Sequence, residues 1–104
     1  MFVTMNRFTI APEFAADFEE RFRSRETFLH EVPGFIRNAV LRPEEGTSAQ
    51  HIVMTLWESR QAFENWTKSE AFRKAHAGAG QTPKEWYAAP TKLEMFEAVT
   101  EQVA

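Results

Sequence analysis

Cysteine is absent from this 104-residue chain. That excludes a disulfide scaffold, a thiolate nucleophile and a thiolate-bound metal, and it fits a reducing, cytoplasmic compartment. Long apolar runs are missing as well, since none approaches the ~18 residues of a membrane span. The opening Met1-Phe2-Val3-Thr4-Met5-Asn6-Arg7 has neither the basic start nor the apolar stretch of an export signal. No membrane association is expected. Positive charge is also short: the net charge is −3, without the large basic footprint that neutralising phosphates requires, so nucleic acid is not expected as a partner. Tyrosine occurs once, against ten Phe and three Trp. The aromatic weight is therefore apolar, suited to a core or to the walls of a pocket for an apolar ligand. There is no Ser/His/Asp arrangement and no phosphate-cradling glycine pattern, because the glycines near position 80 follow a helical stretch instead of preceding one.

What is there is enough for one core, and residues 1–104 read as a single domain. Phe2, Thr4, Asn6, Phe8 and Ile10 alternate with Val3, Met5, Arg7 and Thr9, the pattern of a strand. Pro12 ends it and opens a helix running to about Glu31, with Phe14, Phe18, Phe22, Leu29 and Val32 on one arc. Val32-Pro33-Gly34 breaks that helix. Strands follow at 35–42 and 50–57, joined through the turn-rich 43–48. Ser59 is placed to cap a helix carrying Ala62, Phe63 and Trp66, and Ser69 to cap a further turn through Phe72, Ala75 and His76, with a break near Lys68 and an end near Gly78. Residues 78–83 have no periodicity and read as a mobile loop, with Trp86 and Tyr87 folding back as part of a lid. A last strand spans 91–99. The order predicts an α+β fold, an antiparallel sheet with helices on one face.

Both faces of that sheet carry apolar side chains. Phe35, Ala39 and Leu41 are expected on one side and Ile36 and Val40 on the other, while Ile52, Met54 and Leu56 oppose Val53 and Trp57. A homodimer with sheet packed on sheet would cover the face that lacks helices.

Three residues suggest chemistry. An asparagine, a tryptophan and a histidine facing one cavity could hold an iron porphyrin, and Asn6, Trp66 and His76 are the residues in question. His76 stands near a helix end beside a glycine-bearing loop. One histidine cannot build a structural zinc site, but haem needs only one proximal imidazole. Each residue also has a plainer reading: a helix-terminal His, a buried Asn bonded to backbone, a Trp in the core. Arg21 and Arg25 fall inside the apolar arc of the first helix, so either their stems cover apolar surface or they reach an anionic ligand at a pocket edge. His30 and His51 read as surface residues.

The chain resembles the antibiotic-biosynthesis-monooxygenase superfamily and, within it, the IsdG-type haem-degrading monooxygenases. The likeness runs through Asn6-Arg7, Glu20-Arg21-Phe22, Pro33-Gly34-Phe35 and Leu56-Trp57-Glu58-Ser59. It is strongest in Gln61-Ala62-Phe63-Glu64-Asn65-Trp66-Thr67-Lys68-Ser69-Glu70-Ala71-Phe72-Arg73-Lys74-Ala75-His76. The resemblance implies a ferredoxin-like dimeric α+β barrel in which His76 is the proximal iron ligand. It implies that Asn6 donates a hydrogen bond near the reacting oxygen, that Trp66 presses the porphyrin out of plane, and that Arg21 and Arg25 hold its propionates. Haem would be both substrate and cofactor, with O₂ and an external electron donor, a reductase or small reductant, opening the ring and freeing iron. Ala77-Gly78-Ala79-Gly80 is smaller than the polar run often found there in haem-degrading members, and Trp86 and Tyr87 match nothing in the family pattern. Two other readings are open: a cofactor-independent monooxygenase acting on an aromatic phenol or quinol, and a non-enzymatic dimeric binder of haem or another hydrophobe.

Overall fold

A computed structural model of the chain describes residues 1–77 and 82–104. Four antiparallel strands, β1 (Phe2–Phe8), β2 (Phe35–Leu41), β3 (His51–Trp57) and β4 (Lys92–Glu97), form one sheet in the order β2-β3-β1-β4. Three helices, α1 (Ala15–Ser24), α2 (Arg60–Thr67) and α3 (Glu70–Ala75), accompany it. Strand alternation sorts the side chains as the sequence suggests in β1 and β3. Phe2 pairs with Trp57, Thr4 with Thr55 and Asn6 with Val53 on the helix-covered face, and Val3, Met5, Ile52, Met54 and Leu56 lie on the other.

The first helix is shorter than its apolar arc predicts. Pro12–Phe14 is a 3₁₀ turn, α1 stops at Ser24, and Arg25 is already extended. The cause is local competition for backbone donors: Glu26 Oε1 accepts from the Phe28 N–H at 3.1 Å and Thr27 Oγ1 accepts from the Leu29 N–H at 3.3 Å. Phe28 is left with φ 60° in the left-handed region, a strained position for a bulky residue, before a second 3₁₀ turn at Leu29–Glu31.

In β2 the expected parity also changes. A bulge between Phe35 and Arg37 moves Phe35 onto the same face as Asn38 and Val40, whereas Ala39 and Leu41 stay on the open face. Just before it, Gly34 has φ 87°, and a Cβ there would stand 2.5 Å from the Ala62 Cβ. Glycine is required twice over, for the backbone angle and for the approach of α2.

The caps fall where the serines predict. Ser59 Oγ accepts from the Ala62 N–H at 3.2 Å, Ser69 Oγ accepts from the Phe72 N–H at 3.1 Å, and Lys68 ends α2. α2 and α3 lay Ala62, Trp66 and Ala75 on Phe2, Leu29, Val32 and Trp57 to make the core. Trp57, almost fully buried, donates its indole N–H to Thr4 Oγ1 at 3.3 Å.

Residues 78–81 of the expected loop lie outside the described residues. The segment after them is no free lid. The Ala11 N–H donates to the Trp86 carbonyl at 2.8 Å, the Ala88 N–H donates to the Thr9 carbonyl at 2.8 Å, and Ile10 bridges Tyr87. A short ladder thus ties residues 86–88 to the end of β1. Among the described residues no helix is long and apolar enough to cross a membrane.

Candidate active site

A cavity of about 950 Å³ opens between α1, the helix-covered face of the sheet, the end of α3 and the Trp86–Tyr87 segment. Asn6, Arg21, Arg25 and His76 all line it, together with aromatic walls from Phe8, Phe22 and Tyr87. That size suits one ligand with broad apolar faces.

His76 caps the C-terminal end of α3 and is exposed at the cavity mouth. Its Nδ1 lies 2.9 Å from the Phe72 carbonyl oxygen, and its ring stacks on Phe72 with centroids 4.1 Å apart. A carbonyl can only accept, so Nδ1 carries a proton, and in the neutral imidazole the lone pair is then on Nε2. This is the arrangement that orients an imidazole for a metal. Among the described residues no group of three His, Asp or Glu could hold an ion by itself. A metal here must therefore arrive with most of its own ligands, as a porphyrin's iron does.

Asn6 projects from β1 between Val53 of β3 and Leu93 of β4. The plainer reading, a backbone partner for its amide, is not seen: no hydrogen bond of the Asn6 side chain occurs among the described residues. Its amide is available to a ligand.

Arg25 bears on both readings of the arginines. Its guanidinium carbon lies 4.4 Å over the Phe22 ring, and its Nε is buried without a hydrogen-bond partner. Burial and, second, the positive charge of Arg21 lower its pKa. A buried donor left unmatched beside a second cation is a demand for an anion. The donor set fits a porphyrin: an imidazole Nε2 and an amide that make no hydrogen bond among the described residues, apolar walls, and the unmatched Nε of Arg25 for a carboxylate.

Trp66 is placed differently. It is 7% exposed, belongs to the core and is not part of the cavity lining. Its ring packs edge-on against Phe72 at 5.4 Å and stands 6.3 Å from the His76 ring. It supports the imidazole from behind.

His51 corrects the surface reading made from the sequence. It is 4% exposed, its ring meets Phe18 edge-on at 5.1 Å, and its Nε2 is 2.9 Å from Glu19 Oε2. The strand register carried the missed signal, because His51 is in phase with Val53, Thr55 and Trp57 on the buried face. Arg42 also donates to Glu19, with Nε at 3.0 Å, so hydrogen bonds from Arg42 and then His51 lower the Glu19 pKa to about 2. This cluster ties α1 to β3 and β2 behind the cavity wall. His30 is exposed, as expected.

Comparison with known proteins shows the family of the chain. Residues 1–78 match the family described as antibiotic biosynthesis monooxygenase. A staphylobilin-producing haem oxygenase of Staphylococcus haemolyticus is 34% identical over 86 residues, 82% of each chain. A mycobilin-producing haem oxygenase of Mycobacterium tuberculosis is 33% identical over 97 residues, 93% of this chain and 88% of the relative. The haem degrader MhuD of M. tuberculosis, solved with two haems in its active site, superposes with a TM-score of 0.76 at 28% identity, covering 99% of this chain and all of the other. With its ferredoxin-like α+β sheet and these relatives across most of its length, the chain belongs to the antibiotic biosynthesis monooxygenase family.

Proposed function

We propose that the protein is a haem-degrading monooxygenase in which Asn6, Trp66 and His76 form the working set, with Arg21 and Arg25 as anchors. The observation that carries this reading is one cavity lined by His76 and Asn6, whose Nε2 and amide make no hydrogen bond among the described residues, and by Arg25, whose buried Nε is unmatched. The haem oxygenase relatives and the haem-bound neighbour support it. Bound haem supplies the oxygen chemistry, with O₂ and electrons from an external reductase or small reductant, and its ring is opened and its iron released.

The chain's own residues do the holding and orienting. His76 would ligate the haem iron through Nε2, with the Phe72 carbonyl fixing its tautomer. Arg21 and Arg25 hold the carboxylate edge. Asn6 would offer its amide from the sheet as a hydrogen-bond donor beside the bound haem, a contact of the kind that favours developing negative charge. Trp66 holds the Phe72–His76 stack from the core side, so the imidazole that would meet the porphyrin is backed by the core. The working unit is a homodimer, in which a second copy covers Val3, Met5, Met54 and Leu56 on the open sheet face, with Leu41 and Phe96 there exposed by 38% and 44%. The cysteine-free composition suits a cytoplasmic setting where reductant is at hand.

Haemin added to purified protein tests the assignment. A Soret shift, then bleaching and chelatable iron after reductant in air, is the expected result. A band that persists would make the protein a haem binder only, and no band would favour oxidation of an aromatic phenol or quinol without cofactor.

A further inference from the structure

Among the described residues Phe28 alone, apart from glycines, has a left-handed backbone, at φ 60°. For a bulky side chain that conformation must be imposed by the surroundings, and such positions gather at sites that need a side chain aimed. Glu26 Oε1 accepts from its N–H at 3.1 Å, Thr27 Oγ1 accepts from the next amide at 3.3 Å, and its carbonyl accepts from the Glu31 N–H at 3.1 Å. A glycine would take the same turn without strain. The ring is therefore what the strained turn carries into the fold.

Packing explains part of that ring. It lies against the core cluster, and Lys74 Nζ stands 5.7 Å from its centroid. Phe28 is nonetheless only half-buried, and it lines the cavity. Arg25, on its own short segment, and His76, two residues beyond Lys74, line the same cavity. The ring thus stands where the end of α1 and the end of α3 meet the cavity, and its uncovered part is apolar surface that a ligand with broad apolar faces would take out of water.

We propose that Phe28 is a substrate-contacting residue: its ring is an apolar wall against which the bound porphyrin packs, and the left-handed turn serves to bring that wall into the cavity. This rests on the haem reading above. Arg25 and Phe28 then act from one short segment, the first as a polar contact and the second as an apolar one for the same ligand. Backbone stability is given up at Phe28 for affinity. Removing the ring should cost binding, and relieving the backbone should raise stability, so the two effects can be separated.

Phe28→Ala removes the ring and keeps the strain, whereas Phe28→Gly removes both. Each is titrated with haemin by Soret absorbance and unfolded by denaturant beside wild type. Both variants are expected to bind haemin about tenfold more weakly, the scale of the apolar contact of half a Phe side chain. Phe28→Gly should exceed Phe28→Ala by about fivefold in its folding equilibrium. Haemin affinity equal to wild type in both variants overturns the assignment while the haem reading stands. A loss in Phe28→Ala that Phe28→Gly restores overturns it too, since the residue would then act only through the stability of the turn. A measurement on wild type covers the case in which these variants do not fold. With gallium protoporphyrin, a closed-shell stand-in for haem, the NMR signals of the Phe28 ring, assigned by their absence in Phe28→Leu, should move in the ring current of the macrocycle. Unmoved signals overturn the assignment, and a wild type that binds no haemin overturns both readings.

Discussion

The His76 imidazole and the Phe72 residue one helical turn before it make two contacts at once, a hydrogen bond from Nδ1 to the backbone carbonyl at 2.9 Å and a ring stack at 4.1 Å. The first sets the proton and the second sets the plane, so Nε2 is held in one tautomer and one orientation before any ligand arrives. An exposed imidazole at a helix end is preorganised here without being part of the core.

His76→Ala is therefore expected to abolish the shifted Soret band while leaving unfolding by denaturant within about 0.5 kcal/mol of wild type, as exposed positions generally do. An unchanged band in that variant would remove His76 as the iron ligand. His30 is exposed and His51 is committed to Glu19, so no other histidine of the chain would take its place readily.

Asn6 and Trp66 should separate binding, turnover and stability. Asn6→Ala is expected to keep haemin affinity within a few-fold and lose ring opening by about 10²-fold or more, the scale of a donor aimed at developing charge. Trp66→Ala empties a core site against Trp57 and Phe72 and should cost about 3–5 kcal/mol. Its haemin degradation is measured at a temperature where the variant is still folded. Wild-type rates in both variants would place the reacting oxygen elsewhere.

Acid should loosen the wall that carries Arg21 and Arg25. Glu19 titrates near 2 in the fold, against 4.5 for an ordinary glutamate, because Arg42 and His51 hydrogen-bond its carboxylate. A lowered folded-state pKa contributes stability that is complete above about 4.5 and is lost as the pH falls toward about 2. Thermal unfolding followed from pH 6 to pH 2.5 should show a steeper loss for wild type than for Glu19→Gln, and parallel curves would contradict it.

Sedimentation should find a dimer at micromolar concentration, since a second copy is the natural cover for the open sheet face. Met54→Lys, central on that face opposite Met5 and Ala39, is expected to shift the protein to monomer. A wild type that is monomeric throughout would show that this face meets something else.

How much of this was legible beforehand depended on how local the deciding physics was. The strands of β1 and β3, the serine caps, the break at Lys68 and the glycine at 34 follow from alternation, capping and one backbone angle, all written within a few residues. The end of α1 was harder, because Glu26 and Thr27 captured the next amides and outweighed an apolar arc that ran on to Val32.

The amino-acid sequence by itself determined the fold class, the cover of one sheet face by helices and the identity of the polar residues that could serve a haem. Tertiary structure decided which of them share a cavity. Asn6, Arg21, Arg25 and His76 come from β1, the α1 region and α3, and only the docking of α1 and α3 on the sheet brings them to one volume. The same docking puts Trp66 behind that wall, buries His51 against Glu19 and clamps Tyr87 beside Phe8. These placements rest on contacts between residues far apart in the chain, for which periodicity carries no information. Burial on one face was therefore readable from the pattern, whereas the partner met there was not.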